Sequence, residues 1–204
     1  MCGVSAKAPE SATVAVSAVI LGGGQGRRLG LGPKALVTVG GISMLEHVCR
    51  RIAPQVAQLL INTPQAVSTS VASSHCPDTE FAGEGPLAGL LAGMQMTDQD
   101  WLLFVPTDAI RLPRNLVPRF LQQTHGADAV VVAGQHVCGL IRRYLAGSLT
   151  TALHQGTRSL RDWLSQIRTV EVDFADERAA IWSVNTPAEL TRAEAALATP
   201  IQNP

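Results

Sequence analysis

Along most of the chain, apolar runs of strand length alternate with segments whose apolar residues recur at helical spacing. That alternation is the pattern of β-α-β units on a mainly parallel sheet. Residues 14–21 (VAVSAVIL) are β-branched and almost wholly apolar, as a strand covered on both faces must be, and they run into Gly22, Gly23 and Gly24. From Ser43 to Ala53, Met44, Leu45, Val48 and Ile52 share one helical face, with Ser43 as N-cap and Glu46 as its expected capping-box partner. QLLIN at 58–62 predicts a second strand, closed at Thr63-Pro64 because the residue before proline is pushed out of the helical region. Gly85-Pro86 opens a helix reaching Met96, with Gly89 and Gly93 on one face where small residues permit close backbone approach. WLLFV at 101–105 predicts a further buried strand, ended by Pro106 and followed by Thr107 and Asp108. In the second half, residues 128–133 and 137–142 predict antiparallel strands about Gly134-Gln135. Helices near 148–154 and 158–167, an edge strand at 169–174 and a final helix at 187–197, capped by Thr186 and Glu189, complete the pattern.

Composition narrows the field. With 204 residues, 46% hydrophobic and 16% charged, the chain can bury one domain's core, which excludes wholesale disorder. Its 16 Lys+Arg against 16 Asp+Glu leave no basic footprint for nucleic acid. No apolar run approaches the ~20 residues that a bilayer requires. Residues 1–12 lack the apolar core of a secretion signal and read as an N-terminal tail before a single domain at 13–204, so a cytoplasmic protein is expected. Cys2, Cys49, Cys76 and Cys138 form no C-x-x-C pair and are expected to be reduced thiols.

The segment after the first strand carries the chemistry. Six glycines fall within residues 22–32, and Arg27, Arg28 and Lys34 accompany them. Backbone N–H groups in such a turn can converge on phosphate oxygens while the cations neutralise charge, so a polyphosphate ligand is expected. The spacing is neither a dinucleotide fingerprint, since Arg27 stands where the third glycine would, nor a P-loop, since Pro33 and not a glycine directly precedes Lys34. Asp108, just past a buried strand at the same sheet edge, is placed either as a turn aspartate or to hold Mg²⁺ against phosphate oxygens, and the glycine loop favours the metal. His47 is read as lying on an exposed helix face and Trp101, Trp163 and Trp182 as packing anchors, while His136, Arg142-Arg143, Arg158 and Arg161 are candidates in the second half.

The residues 21–30 (LGGGQGRRLG) with Lys34, then 85–91 (GPLAGLL), then Pro106-Thr107-Asp108, then 185–190 (NTPAEL) resemble, in order, the motifs of the MobA-type molybdenum cofactor guanylyltransferases. The resemblance covers about residues 14–197. It implies a single-domain Rossmann-like three-layer α/β sandwich that transfers GMP from MgGTP to molybdopterin carrying molybdenum, with release of pyrophosphate. It further implies that Leu21, Gly22 and Gly23 hold the nucleotide through the backbone, that Lys34 and Arg28 bind phosphate, and that Asn62 and Asp78 contact guanine and ribose. Asp108 would ligate Mg²⁺, and Asn185 would lie on the acceptor side. Cofactor-delivery proteins and apo-molybdoenzymes are the partners implied beyond the substrates. The chain departs from the family pattern at Pro33, Thr107, Ile110 and Ser183. Pro33-Lys34 keeps open a CTP-using or sugar-nucleotide-forming enzyme of the same fold, and Ile110 with Ser183 keeps open a non-catalytic nucleotide-binding homologue.

Overall fold

A computed structural model describes residues 14–24, 30–78, 80–174 and 182–198. The 1–12 tail and Arg28 lie outside the described residues, as does the side chain of Trp182. In chain order the elements are β1 (Val16–Leu21), β2 (Thr38–Val39), β3 (Ile42–Ser43), α1 (Met44–Ile52), β4 (Gln58–Asn62), β5 (Ser74–His75) and α2 (Pro86–Met96). There follow β6 (Trp101–Pro106), β7 (Ala109–Arg111), α3 (Leu116–Leu121), β8 (Ala129–Val132), β9 (Gln135–Arg142), α4 (Ala146–His154), α5 (Leu160–Leu164), β10 (Thr169–Val172), β11 (Trp182–Ser183) and α6 (Pro187–Ala198).

Seven strands form the central sheet in the order β10-β8-β9-β6-β1-β4-β5. β1 pairs in parallel with both β4 and β6, and β9 alone runs antiparallel to its neighbours β6 and β8. Alternation along β1 and β6 sends side chains to opposite faces. Ala18, Ile20, Leu103 and Val105 join Leu45, Val48 and Ile52 of α1 and Phe120 of α3, while Val19, Leu102 and Phe104 join Leu87, Leu90 and Met94 of α2, Leu149 of α4 and Trp163 of α5. Two apolar cores separated by a sheet make three layers. The expected close approach of α2 is realised at Gly93, where a Cβ would lie 2.9 Å from Val19 Cβ.

The predicted strands and helices occur with ends displaced by a few residues. The antiparallel pair about Gly134-Gln135 forms as β8 and β9, and β10 takes the sheet edge beside β8. Three small pairings were not expected: β5 alongside β4 at the sheet's other edge, and two outside the central sheet. Gly40 and Gly41, with φ of 58° and 78°, turn β2 back on β3, the conformation that a two-residue hairpin of the mirror-image type demands. The other pairing is β7 against β11, which folds the segment before α6 onto the chain just after Asp108. Among the described residues, no helix is long and apolar enough to cross a membrane.

Cys49, Cys76 and Cys138 are free and buried. Burial pushes the Cys49 thiol up to about 12 and the Cys76 thiol up to about 11, and raises Cys138 as well, so all three remain protonated at neutral pH.

Candidate functional site

The parallel register sets the site. Leu21 is paired with Asn62 on one side and Pro106 on the other, so β1, β4 and β6 end together at one edge. Each chain then leaves the sheet with polar residues: Gly22 and Gly23, Asn62 and Thr63, Thr107 and Asp108. The edges are tied: Gly22 N–H donates to Asn62 O at 2.7 Å and Thr107 N–H to Leu21 O at 3.2 Å. Gly22 therefore offers a ligand its carbonyl and its small size, not its N–H. A side chain there is excluded, since a Cβ would sit 2.6 Å from Thr63 Cγ2.

Lys34 returns to this edge, where its backbone N–H donates to Gly24 O at 3.1 Å. Its Nζ donates to Asp108 Oδ2 and, at 2.6 Å, to Asn185 Oδ1. Three segments remote in sequence thus meet at one ammonium group. Asn185 reaches it because β11 pairs with β7 and Val184 N–H donates to Asp108 O at 3.1 Å. Glu189 then fixes the segment, its Oε2 accepting from Asn185 N–H at 2.7 Å and Thr186 N–H at 2.9 Å, while Glu189 N–H donates to Thr186 Oγ1. This is the capping box expected at α6, and the two backbone bonds lower the Glu189 pKa. At α1 only half of the expected box forms. Ser43 Oγ accepts from Glu46 N–H, but the Glu46 carboxylate turns to Arg50 and Ser70 instead, where nearby donors outcompete the cap.

The Asp108 carboxylate is nearly buried, and its second oxygen, Oδ1, has no hydrogen-bond partner among the described residues. An orphaned buried anionic acceptor beside an ammonium group fits a hard divalent cation, which takes one or two protein carboxylates and completes its shell with phosphate oxygens and water. No group of three or more His, Cys, Asp or Glu gathers among the described residues, so Asp108 would supply the protein's share with the rest coming from substrate.

Asn62 and Asp78 are also brought together. Asn62 Nδ2 donates to Cys76 O at 2.8 Å and to Asp78 Oδ1 at 2.7 Å, which engages both of its hydrogens. Gly89 of α2 makes room for this amide, because a Cβ at that position would lie 2.3 Å from Asn62 Oδ1. Asp78 Oδ2 accepts in turn from Gly83 N–H at 3.3 Å.

A cleft of about 630 Å³ adjoins Asn185, lined by Pro86, His136, Arg158, Arg161, Ser183 and Glu189 among others. Because β9 is antiparallel to β6, its beginning lies at the edge where β6 ends, which delivers Gln135 and His136 to this cleft. Arg158 is held by Glu84 at 2.6 Å, and His136 Nε2 pairs with Glu171 at 2.9 Å. Arg142 does not join them: its guanidinium lies 4.1 Å over the Trp101 ring. His47 likewise departs from expectation, since it is half-buried with Nε2 bonded to Val39 O at 2.8 Å across the β2–β3 hairpin. Trp101 and Trp163 are core residues. Gln135, legible in the sequence only as part of a turn, carries no motif beyond its position at the start of a strand.

The model of the MobA-like NTP transferase domain matches residues 18–171. A molybdenum cofactor guanylyltransferase of Shewanella piezotolerans is 35% identical over 194 residues, covering 91% of this chain and 95% of the relative. One from Shewanella sp. strain MR-4 is 37% identical over 185 residues, covering 87% and 94%. Among solved structures, the molybdopterin-guanine dinucleotide biosynthesis protein A of Archaeoglobus fulgidus superposes with a TM-score of 0.73 at 20% identity, over 90% of this chain and 98% of that one. The 2-C-methyl-D-erythritol 4-phosphate cytidylyltransferase of Thermus thermophilus does so with 0.69 at 16%, over 91% and 99%, which shows that the fold is common to enzymes of different nucleotides. With the glycine edge, the Lys34 junction and this extent of similarity in agreement, the chain belongs to the MobA-like NTP transferase domains, a nucleotidyltransferase family.

Proposed function

We propose that this protein transfers GMP from GTP to the terminal phosphate of molybdopterin carrying molybdenum, forming the guanine dinucleotide cofactor and pyrophosphate in the cytoplasm. The observation that carries the reading is the junction of Lys34, Asp108 and Asn185 at the edge where three parallel strands end, with Asp108 Oδ1 unpartnered among the described residues. In the reaction an acceptor phosphate oxygen bonds to the α-phosphorus of GTP as the α–β anhydride bond breaks. Phosphate monoesters are largely ionised at neutral pH, so the attacking oxygen needs no dedicated base.

The protein's work is then positioning and charge compensation. Lys34 donates two of its three ammonium hydrogens to Asp108 and Asn185, which aims the third at a phosphate oxygen. Arg28, in the loop that precedes Lys34, would share the charge of the leaving pyrophosphate. A magnesium ion held by Asp108 would supply neutralisation of the charge that develops on the phosphate oxygens. Leu21, Gly22 and Gly23 form the floor under the nucleotide. Asn62 acts by fixing Asp78 for the nucleoside, since its own amide hydrogens are already engaged. The cleft with Arg158 and Arg161 receives the anionic acceptor, beside Asn185.

The test is pyrophosphate release in the presence of Mg²⁺ and molybdenum-loaded molybdopterin, with GTP, CTP, ATP and UTP in competition. Release with GTP alone, lost in Asp108→Asn, is the expected result. Preference for CTP or UTP would overturn the guanylyl assignment, and nucleotide binding without release would overturn the enzymatic one.

A further inference from the structure

A second cavity, of about 390 Å³, shares no lining residue with the cleft described above. It lies between α1, β7 and α6, and its lining includes His47, Arg50, Arg51, Arg111 and Arg114 but no carboxylate. In a chain of zero net charge, four guanidinium groups around one cavity are a concentration that composition does not lead one to expect. Arg50 is paired with Glu46, whereas Arg51, Arg111 and Arg114 have no carboxylate partner among the described residues. Two of the four, Arg50 and Arg51, are accounted for as cations at the end of α1. Arg111 and Arg114 come from β7 and the segment after it and have no such reason to be there.

The cavity is also built rigidly. Gln55 donates through Nε2 to Arg51 O at 3.0 Å and Pro113 O at 3.1 Å, and its Oε1 accepts from Val117 N–H at 3.1 Å. That amide clamps the end of α1 to the segment bearing Arg114. Burial and the adjacent Arg114 and Arg111 hold the pKa of Arg51 below its ordinary value, so like charges are kept together against their repulsion. Ile42, Pro54, Ile110 and Ala193 supply the apolar part of the lining.

The geometry points to a second anion site that takes two or more linked phosphates, free or as the tail of a nucleotide. Three guanidinium groups with no carboxylate partner among the described residues, from α1 and from β7 and the stretch after it, exceed the charge of about −1.5 to −2 that a single phosphate brings, and planar guanidinium forks suit the oxygens of a condensed phosphate. β7 leaves Asp108 directly and α6 begins two residues after Asn185, so the elements that wall this cavity also present the partners of Lys34.

The test is calorimetric titration of the full chain carrying Lys34→Ala, which silences the catalytic edge, with inorganic tripolyphosphate, orthophosphate, GTP and a glutamate-rich peptide in the absence of divalent cations. Tripolyphosphate is expected to bind one site at least tenfold more tightly than orthophosphate. Arg114→Gln, an exchange of an exposed side chain, and Arg51→Gln/Arg114→Gln are expected to weaken it at least tenfold without lowering the unliganded Tm, since repulsion is relieved. GTP binding more than tenfold tighter than tripolyphosphate, with the same arginine dependence, identifies a nucleotide as the source of the phosphates; comparable affinities identify the free polyanion. Tripolyphosphate affinity that is lost in Lys34→Ala, or unchanged in the arginine variants, would overturn the site, as would arginine-dependent binding of the acidic peptide alone.

Discussion

The two sides of the site, the strand edge and the cleft that adjoins it, are built on opposite plans. On the side of β1, β4 and β6, almost every polar side chain is nearly buried and has a designated partner: Lys34 with Asp108 and Asn185, Asn62 with Asp78 and the Cys76 carbonyl. On the side of β9 and α5, the cations stand in solvent. The Arg158–Glu84 pair is 44% and 36% exposed, and among the described residues Arg161 has no carboxylate partner. Exposed pairs of this kind are worth about 0–1 kcal/mol and rearrange readily, whereas a nearly buried ion pair cannot lose one member cheaply. Under the proposed function, the first side would hold the triphosphate in a fixed geometry, and the second would admit a bulky anionic acceptor by small adjustments.

Asp108→Asn strikes the preorganised side hardest. It keeps the shape but removes the charge, and kcat is expected to fall by about 10³-fold with an unchanged far-UV circular dichroism spectrum. Activity near that of the wild type would show that the carboxylate is not used. Gly89→Ala probes the same side through packing, because the added Cβ meets Asn62 Oδ1 at 2.3 Å. The expected result is a stability loss of about 1–3 kcal/mol and a nucleotide KM raised by about tenfold or more with the acceptor KM little changed, as a 1.4 kcal/mol misplacement implies.

Arg161→Gln tests the adaptable side. The acceptor KM should rise by up to about fivefold, corresponding to the ~1 kcal/mol at most expected of one exposed cation, while the nucleotide KM and the Tm hold. Equal effects on both substrates would erase the distinction between the sides. The smallest effect concerns how the second side is anchored. Asp128, at the start of β8, accepts from Arg168 Nε at 2.9 Å and Nη2 at 2.8 Å and from the Tyr144 hydroxyl, which holds its pKa well below the usual carboxylate range. A depressed folded-state pKa contributes stability that is present above the unfolded value of about 3.9 and is lost as pH falls through the folded value. The Tm of wild type should therefore exceed that of Asp128→Asn at pH 7, and the gap should narrow progressively below about pH 4. A gap that is constant down to pH 2 would mean that this tie does not respond to protonation.

Much of this was legible along the chain because its causes are local. Alternating strand and helix patterns, the caps of α1 and α6, and the glycine run after β1 depend on residues a few positions apart, and they placed the sheet and its functional edge. Asp108 and Lys34 were legible as chemistry for the same reason, since each directly follows a strand or a glycine loop. The β7–β11 pairing was not, because two strands of three and two residues carry too little periodicity to be read. Without that pairing, nothing in the sequence says that Asn185 meets Lys34, 151 positions away.

The sequence by itself determined the layered α/β architecture, the glycine edge, the acid beside it and the family to which the chain belongs. Tertiary structure decided which partners those residues have. It engaged the Gly22 N–H with Asn62 O, gave the Asn62 amide to Asp78, turned Arg142 onto Trp101 and gathered four arginines from α1, β7 and the loop after it. Hydrophobic periodicity tells each segment which face to bury, but hydrogen-bond partners and charge clusters are fixed only when separate segments are packed at ångström distances, and their positions in sequence do not encode that proximity.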